Sequence, residues 1–434
     1  MDTPREIPLP RENESQDTLH QEKTVERHPP PPKTPPRRKL LKIILIGAVQ
    51  LLILFWFVSS WMLGKMYKQS QYAHRLHVIA IDLDGGPIGA SVLDTVTGLN
   101  GQPGMPTWER IPYGSGETFE DIYHKVWTGD NNIWGAIVAN PGASDRLQEA
   151  ITSRNASYDP TQALRLVYNE ARYHTVTVSL IYSNLVAAVS QISAHYQLTT
   201  GVNGLSSLPA NATAANKAAF LLPIGFTLSN IQPFAFSATY LINTVMFVFP
   251  QLSQFFMVML LNGILGHAGA YINWSLKANL TVRFIIGTLW PFILGLSWAG
   301  WVFIFQTTGD LQTPQFFAIW SSIWLFAAIC FWTIDGVGAL IGVQWMPFFI
   351  LSWIIVQIAT VISPMQLASH FYRVDYFFPS HHIWGILMTI FAHGAGNNLK
   401  INLPVSFAWL IIAVAFGTWA NTRRWKKAQK LQKP

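Results

Sequence analysis

Apolar residues in this chain come in long unbroken runs, not in the alternations of a water-soluble fold. Ile43 to Leu63 is 21 residues without a charge. At 1.5 Å per residue that is enough to cross about 30 Å of hydrocarbon. Five further runs fill the C-terminal half, at 236–263, 284–306, 316–334, 337–361 and 404–421. The pattern predicts a polytopic α-helical membrane protein with six transmembrane helices. Residues 65–233, between helices 1 and 2, are hydrophilic by comparison. There His77 to Leu83 predicts a strand ending in a turn at Asp84-Gly-Gly-Pro87, and Ile133 to Ala139 predicts a buried strand. Glu117 to Trp127 reads as a helix between them, and Ser144 as the cap of the helix after Pro141-Gly142. Thr161 to Leu198 contains neither Gly nor Pro and predicts a long helix, weakened by the β-branched run Thr175 to Val178. Gly201 to Ala215 reads as a small polar loop. Residues 65–233 are therefore expected to be an extracytoplasmic α/β domain.

Charge orients this layout. Only 12% of the residues are charged, against roughly a quarter in soluble proteins. No charged residue stands between Lys217 and Lys277, and only Asp310 and Asp335 stand between Arg283 and Arg373. Of the net +7, residues 1–42 carry +2 and residues 421–434 carry +6, leaving −1 for everything between. Basic residues before helix 1 (Arg37, Arg38, Lys39, Lys42) and after helix 6 (Arg423 to Lys427) place both termini in the cytosol. Lys277 and Arg283 mark a cytosolic loop between helices 2 and 3. The same flanking charge points to anionic lipid at the cytosolic tails, and not to nucleic acid.

The tails divide off by composition. Residues 1–39 hold nine prolines and no apolar period, and are expected to be a disordered, basic cytosolic tail. Pro32, Pro35 and Arg37 fit the PxxPxR pattern of an SH3-type docking site, and Thr34 is a candidate phosphorylation site beside that basic cluster. The alternative is a solvated tail. Helix 1 then occupies 40–63, the five-helix domain 236–421 with its outer loop at 364–403, and a basic cytosolic tail 422–434. Within the outer loop His382 to His393 is too short to cross and reads as interfacial or re-entrant.

Chemical motifs are few. There is no Walker A sequence, glycine-rich dinucleotide loop, CxxC, HExxH or GxSxG, so no ATP hydrolysis, no enzyme activity and no cofactor are expected. Asp335 is the least expected residue of the apolar half. Asp335-Gly336 reads as a cytosolic turn between helices 4 and 5, or else as an intramembrane carboxylate on a substrate pathway. Asn243 and Asn262 are the other pathway candidates, with cross-helix hydrogen bonding as the alternative. His370, His381, His382 and His393 read as interfacial residues and not as metal ligands, since sequence neighbours converge poorly on one ion. Asp82 and Asp84 share a strand face, and are read as a strand end feeding a turn more than as a glycosidase-like pair. Asn155 and Asn211 stand in glycosylation sequons of the outer domain. Cys330 reads as a small buried hydrophobe.

Several stretches resemble a known family. They are Val78 to Gly85 (VIAIDLDG), Met105 to Trp108 (MPTW), Trp134 to Pro141 (WGAIVANP), Ala171 to Tyr173 (ARY), Ile231 to Phe234 (IQPF), Phe371 to Arg373 (FYR) and Asn402 to Trp409 (NLPVSFAW). Over about residues 40–421 the chain resembles the fungal nitrosoguanidine-resistance proteins. These belong with ABC-2-type membrane proteins that lack an ATPase, including bacterial phage-infection-protein-like exporters. Ile231-Gln232 departs from the leucine-arginine pair of that pattern. The resemblance implies a fungal plasma-membrane protein linked to resistance to toxic compounds, and a homodimer. It assigns no catalytic residue. The expected function is a transporter-like protein exporting small amphipathic molecules or lipids. The alternative is a non-transporting regulator or scaffold acting on membrane lipid organisation or stress signalling.

Overall fold

The computed structural model describes residues 37–431 apart from 154–156, 205, 207, 235–238 and 308. Helix α1 (Arg37–Met66) opens it. The chain divides at Leu52 into a first unit and a second that begins at Ile53. In the first unit Ile44, Leu45, Val49 and Leu52 are exposed, as suits side chains facing lipid and not a protein core.

The second unit contains a five-stranded sheet of order β2-β1-β3-β4-β5. The strands are β1 (His77–Asp82), β2 (Thr107–Ile111), β3 (Ile133–Ala139), β4 (Leu164–Tyr168) and β5 (Phe226–Asn230). β1 runs parallel to β2 and β3, β4 antiparallel to β3, and β5 parallel to β4. Alternation on β1 explains the layering. Val78 and Ala80 point into a core shared with helix α2 (Pro87–Leu99), while Ile79 and Ile81 pack with Ile122 and Val126 of α3 (Phe119–Thr128) on the other face. Thr118 and Asp121 form a reciprocal capping box that starts α3, and Gly129 at φ 69° ends it. Helix α4 (Ala143–Thr152) follows β3.

The predicted helix from Thr161 breaks into two elements. Leu164–Tyr168 is strand β4, whose register against β3 pairs Leu166 with Ile137. The helix α5 begins only at His174 and runs to Gly204, with π-helical stretches at Thr177–Tyr182 and Gln197–Gly201. The polar loop expected from Gly201 starts after that helix, and α6 (Ala214–Leu221) follows it. Ser144 does not cap α4. Gly142 occupies the cap position, and the Ser144 hydroxyl instead meets Asp84 and accepts from the Ile88 amide.

The C-terminal half consists of α7 (Val245–His267), α8 (Leu276–Ile304), α9 (Thr313–Leu340), α10 (Met346–Val361), α11 (Pro379–Phe391) and α12 (Leu399–Lys430). Among the described residues seven helices are long and apolar enough to cross a membrane, where the run pattern predicts six. The seventh is α5. Its Ile181, Leu185, Ala188 and Ile192 are buried in the same core as α2 and the sheet, so its apolar face is already covered by protein.

α9 is the central helix and the most deeply buried, packed by α8 on one side and α12 on the other. Glycine sets these distances. A Cβ built on Gly287 would lie 2.6 Å from the Phe331 ring, and one on Gly417 would lie 2.9 Å from the Trp332 carbonyl oxygen. Close backbone approach through small residues is how helices associate without a water-driven hydrophobic force.

Candidate functional site

Two polar centres interrupt the apolar half, at opposite ends of α12. The first surrounds Asp335. The predicted turn at Asp335-Gly336 lies inside α9, and the chain breaks instead at Ile341-Gly342. Asp335 is fully buried and paired with Arg283 of α8, also fully buried. Arg283, expected in a cytosolic loop, stands two turns inside α8 and organises the centre. Its Nε donates to Asn279 Oδ1 at 3.1 Å, and its other terminal nitrogen donates to Asn262 Oδ1 at 2.8 Å and to the Tyr271 hydroxyl at 2.9 Å. The second Asp335 oxygen accepts from Asn421 of α12 at 2.7 Å. Arg424, one turn further, donates to Asn262 Oδ1 at 2.9 Å and Asn421 Oδ1 at 2.6 Å, and lies 4.5 Å above the Tyr271 ring. Four helices are thus tied together by one carboxylate, two guanidinium groups and their amides.

This arrangement decides what the centre can do. Both carboxylate oxygens are occupied by donors from neighbouring helices, so the geometry suits a latch between helices. Two arginines against one aspartate leave a surplus positive charge at the end of the bundle that carries the basic C-terminus.

The second centre lies where the α/β domain meets α11 and the start of α12. Lys65 of α1 and Asp375 pair there at 2.6 Å, both without exposure. Burial pushes the Asp375 carboxyl up from its ordinary range, and Lys65 opposes that. His382 Nδ1 meets Asn402 Oδ1 at 3.0 Å, and its Nε2 meets the Tyr376 carbonyl at 2.8 Å. Beside them is a cavity of about 380 Å³, lined among others by Trp134, Arg172, Tyr173, His381, Met388 and Asn402. Trp134, Arg172-Tyr173 and Asn402 come from three separate sequence stretches that carry the family resemblance. Burial lowers the Arg172 guanidinium to about 10 and the His381 imidazole to about 3, so that histidine is neutral.

The remaining sequence candidates fall elsewhere. Asn243 is buried in the turn before α7, away from the Arg283 hydrogen bonds, whereas Asn262 is at their heart. Asn211 is exposed before α6. Asn155, Pro32, Thr34 and Pro35 lie outside the described residues, and Arg37 is the first residue of α1. Asp82 accepts from the Asp84 and Gly85 amides at 2.9 and 2.8 Å, which makes the turn. Cys330 is buried within α9. Arg283, Tyr271, Asn421 and Arg424 were missed as site residues. Asp335 at membrane depth calls for a base, but Arg283 stands at the border of an apolar run as a loop residue would, so the sequence did not single it out.

The family described as "Protein of unknown function (DUF3533)" matches residues 48–415. The chain belongs to that family. A relative of this DUF3533 chain is an uncharacterized endoplasmic reticulum membrane protein of Saccharomyces cerevisiae. It is 23% identical over 408 residues, covering 86% of this chain and 78% of that protein. No solved structure matches. With its apolar helices, the DUF3533 chain is an integral membrane protein.

Proposed function

We propose that this protein is a transport-type membrane protein that exports small amphipathic molecules or lipids, in keeping with the ABC-2-type and nitrosoguanidine-resistance resemblance. The observation that carries the reading is the buried Arg283–Asp335 latch, set in helices otherwise nearly free of charge. Ionisable groups at membrane depth are costly, and by default mark pathways or the elements that move. A cavity at the opposite end of α12 supplies a place for a small molecule to enter.

The test is efflux of a fluorescent amphiphile from a null strain carrying the wild type or Asp335→Asn at matched membrane levels. Wild type is expected to restore efflux and Asp335→Asn to lose it. If both restore it, transport stands and the latch is structural. If neither alters efflux while resistance returns, the protein regulates the membrane and the transport reading falls. Export from the cell requires the plasma membrane, whereas the yeast relative is named for the endoplasmic reticulum. Density-gradient fractionation of the tagged chain separates the two locations, and a reticulum location would make the lumen the destination.

A further inference from the structure

The cavity between the α/β domain and α11 contains a cation that makes no ion pair among the described residues. Arg172 donates one N–H to the Ile133 carbonyl at 2.7 Å, and its guanidinium lies 4.0 Å above the Trp134 ring. Among the described residues no carboxylate comes within ion-pair distance of it. Asp130, the acid in the cavity lining, is exposed and acts on Arg172 only from beyond ion-pair distance. A guanidinium offers five N–H donors in a planar fork that matches carboxylate and phosphate oxygens, and here most of them have no protein acceptor.

Other features fit the same occupant. A Cβ built on Gly129 would lie 2.2 Å from Arg172 Nη1. This glycine, already required by its positive φ at the end of α3, leaves the space in which the guanidinium lies. The indole N–H of Trp134 and Nδ1 of His381 are buried without a hydrogen-bond partner, and both residues line the cavity. Met365, Met388, Ala392 and Ile401 supply an apolar wall. The volume, about 380 Å³, falls within the range that encloses small ligands.

We infer that this cavity binds the anionic end of a small amphipathic molecule, a carboxylate or a phosphate on a short apolar body, with Arg172 as its counter-charge. The inference deepens the transport reading and rests on it for the amphipathic character of the cargo.

The experiment uses the full chain in phosphatidylcholine nanodiscs with three photoreactive diazirine probes: decanoic acid, decyl phosphate and decanol. Crosslinks are mapped by mass spectrometry. One or both anionic probes are expected to label the peptides carrying Met365 and Met388 about tenfold more than decanol does, the scale of one charge-assisted hydrogen bond. Which of the two labels identifies the headgroup. Arg172→Gln is expected to lose that excess and Arg172→Lys to keep most of it. Met388→Trp, which fills the wall and leaves Arg172 in place, is expected to abolish labelling by every probe at this site. Equal labelling by decanol, or undiminished labelling of a folded Arg172→Gln protein, overturns the inference. If Arg172→Gln does not fold, the decanol comparison and Met388→Trp decide alone. Labelling requires no turnover, so it succeeds or fails separately from efflux.

Discussion

A carboxylate and a guanidinium taken out of water together offset much of the cost that each would incur alone. Asp335 and Arg283 are in that position, both without exposure. Removing one partner strands the other, so Asp335→Ala is expected to lose roughly 3–5 kcal/mol. Arg283→Leu with Asp335→Leu removes both charges and is expected to recover most of that loss. Cys330 provides the measurement. It is the only cysteine and is fully buried in the same helix, so a thiol-reactive dye reports opening of α9 on heating. A double variant as unstable as Asp335→Ala would show that the pair is not the source of the loss. Asp335 stood out in the sequence as a lone acid, but its partner did not. Arg283 borders the run, and a border arginine normally belongs to a loop. Only the length of α8, which begins at Leu276, draws it inside.

At the scale of elements, glycine decides how closely α8, α9 and α12 approach. Gly417→Val would drive a side chain into the Trp332 carbonyl, 2.9 Å from where its Cβ would begin. Backbone cannot yield as a side-chain tip can, and α9 and α12 are expected to separate with a clear fall in thermal stability. Gly263→Ala is the control, with nothing within 4 Å of the added atom, and is expected to be neutral in the same dye assay. Equal effects of the two would sink the packing argument. The elements themselves were unevenly legible. β1 and β3 announced themselves by short apolar runs ended by Gly and Pro. β4 did not, because Leu164–Tyr168 enters α5 without a breaker and earns its strand state from pairing with β3 on one side and β5 on the other. β5 is only partly buried and carries three polar residues among its five, so it too lacks an apolar signature.

For the whole molecule, hydropathy resolved the long spans well, since nothing but a bilayer tolerates such runs. By length and composition alone α5 also passes as a span, because a helix covering a sheet and a helix facing lipid have similar compositions; its place between the strands of the outer block is what set it apart. If α5 stays with the sheet outside the cytosol, Asn211 beside it is available to the glycosylation machinery. In a eukaryotic host the wild type is then expected to shift on a gel after endoglycosidase treatment, and Asn211→Gln to lose that shift. Absence of a shift, together with cleavage of the domain by protease added from the cytosolic side, would reverse the topology. The two polar centres are joined by one element. Asn402 grips His382 at one end of α12, and Asn421 grips Asp335 at the other, 19 residues on, or roughly 28 Å along the axis. Beyond Asn421 the helix is clamped again, by Trp425 to the Trp274 carbonyl and Gln429 to that of Ile272. Mechanically α12 is a tie-rod. It is stiff along its axis, with a soft joint only at Pro404 beside the cavity. A push along the axis at the latch is expected to reach the cavity through that joint, so a load on one anchorage is felt at the other.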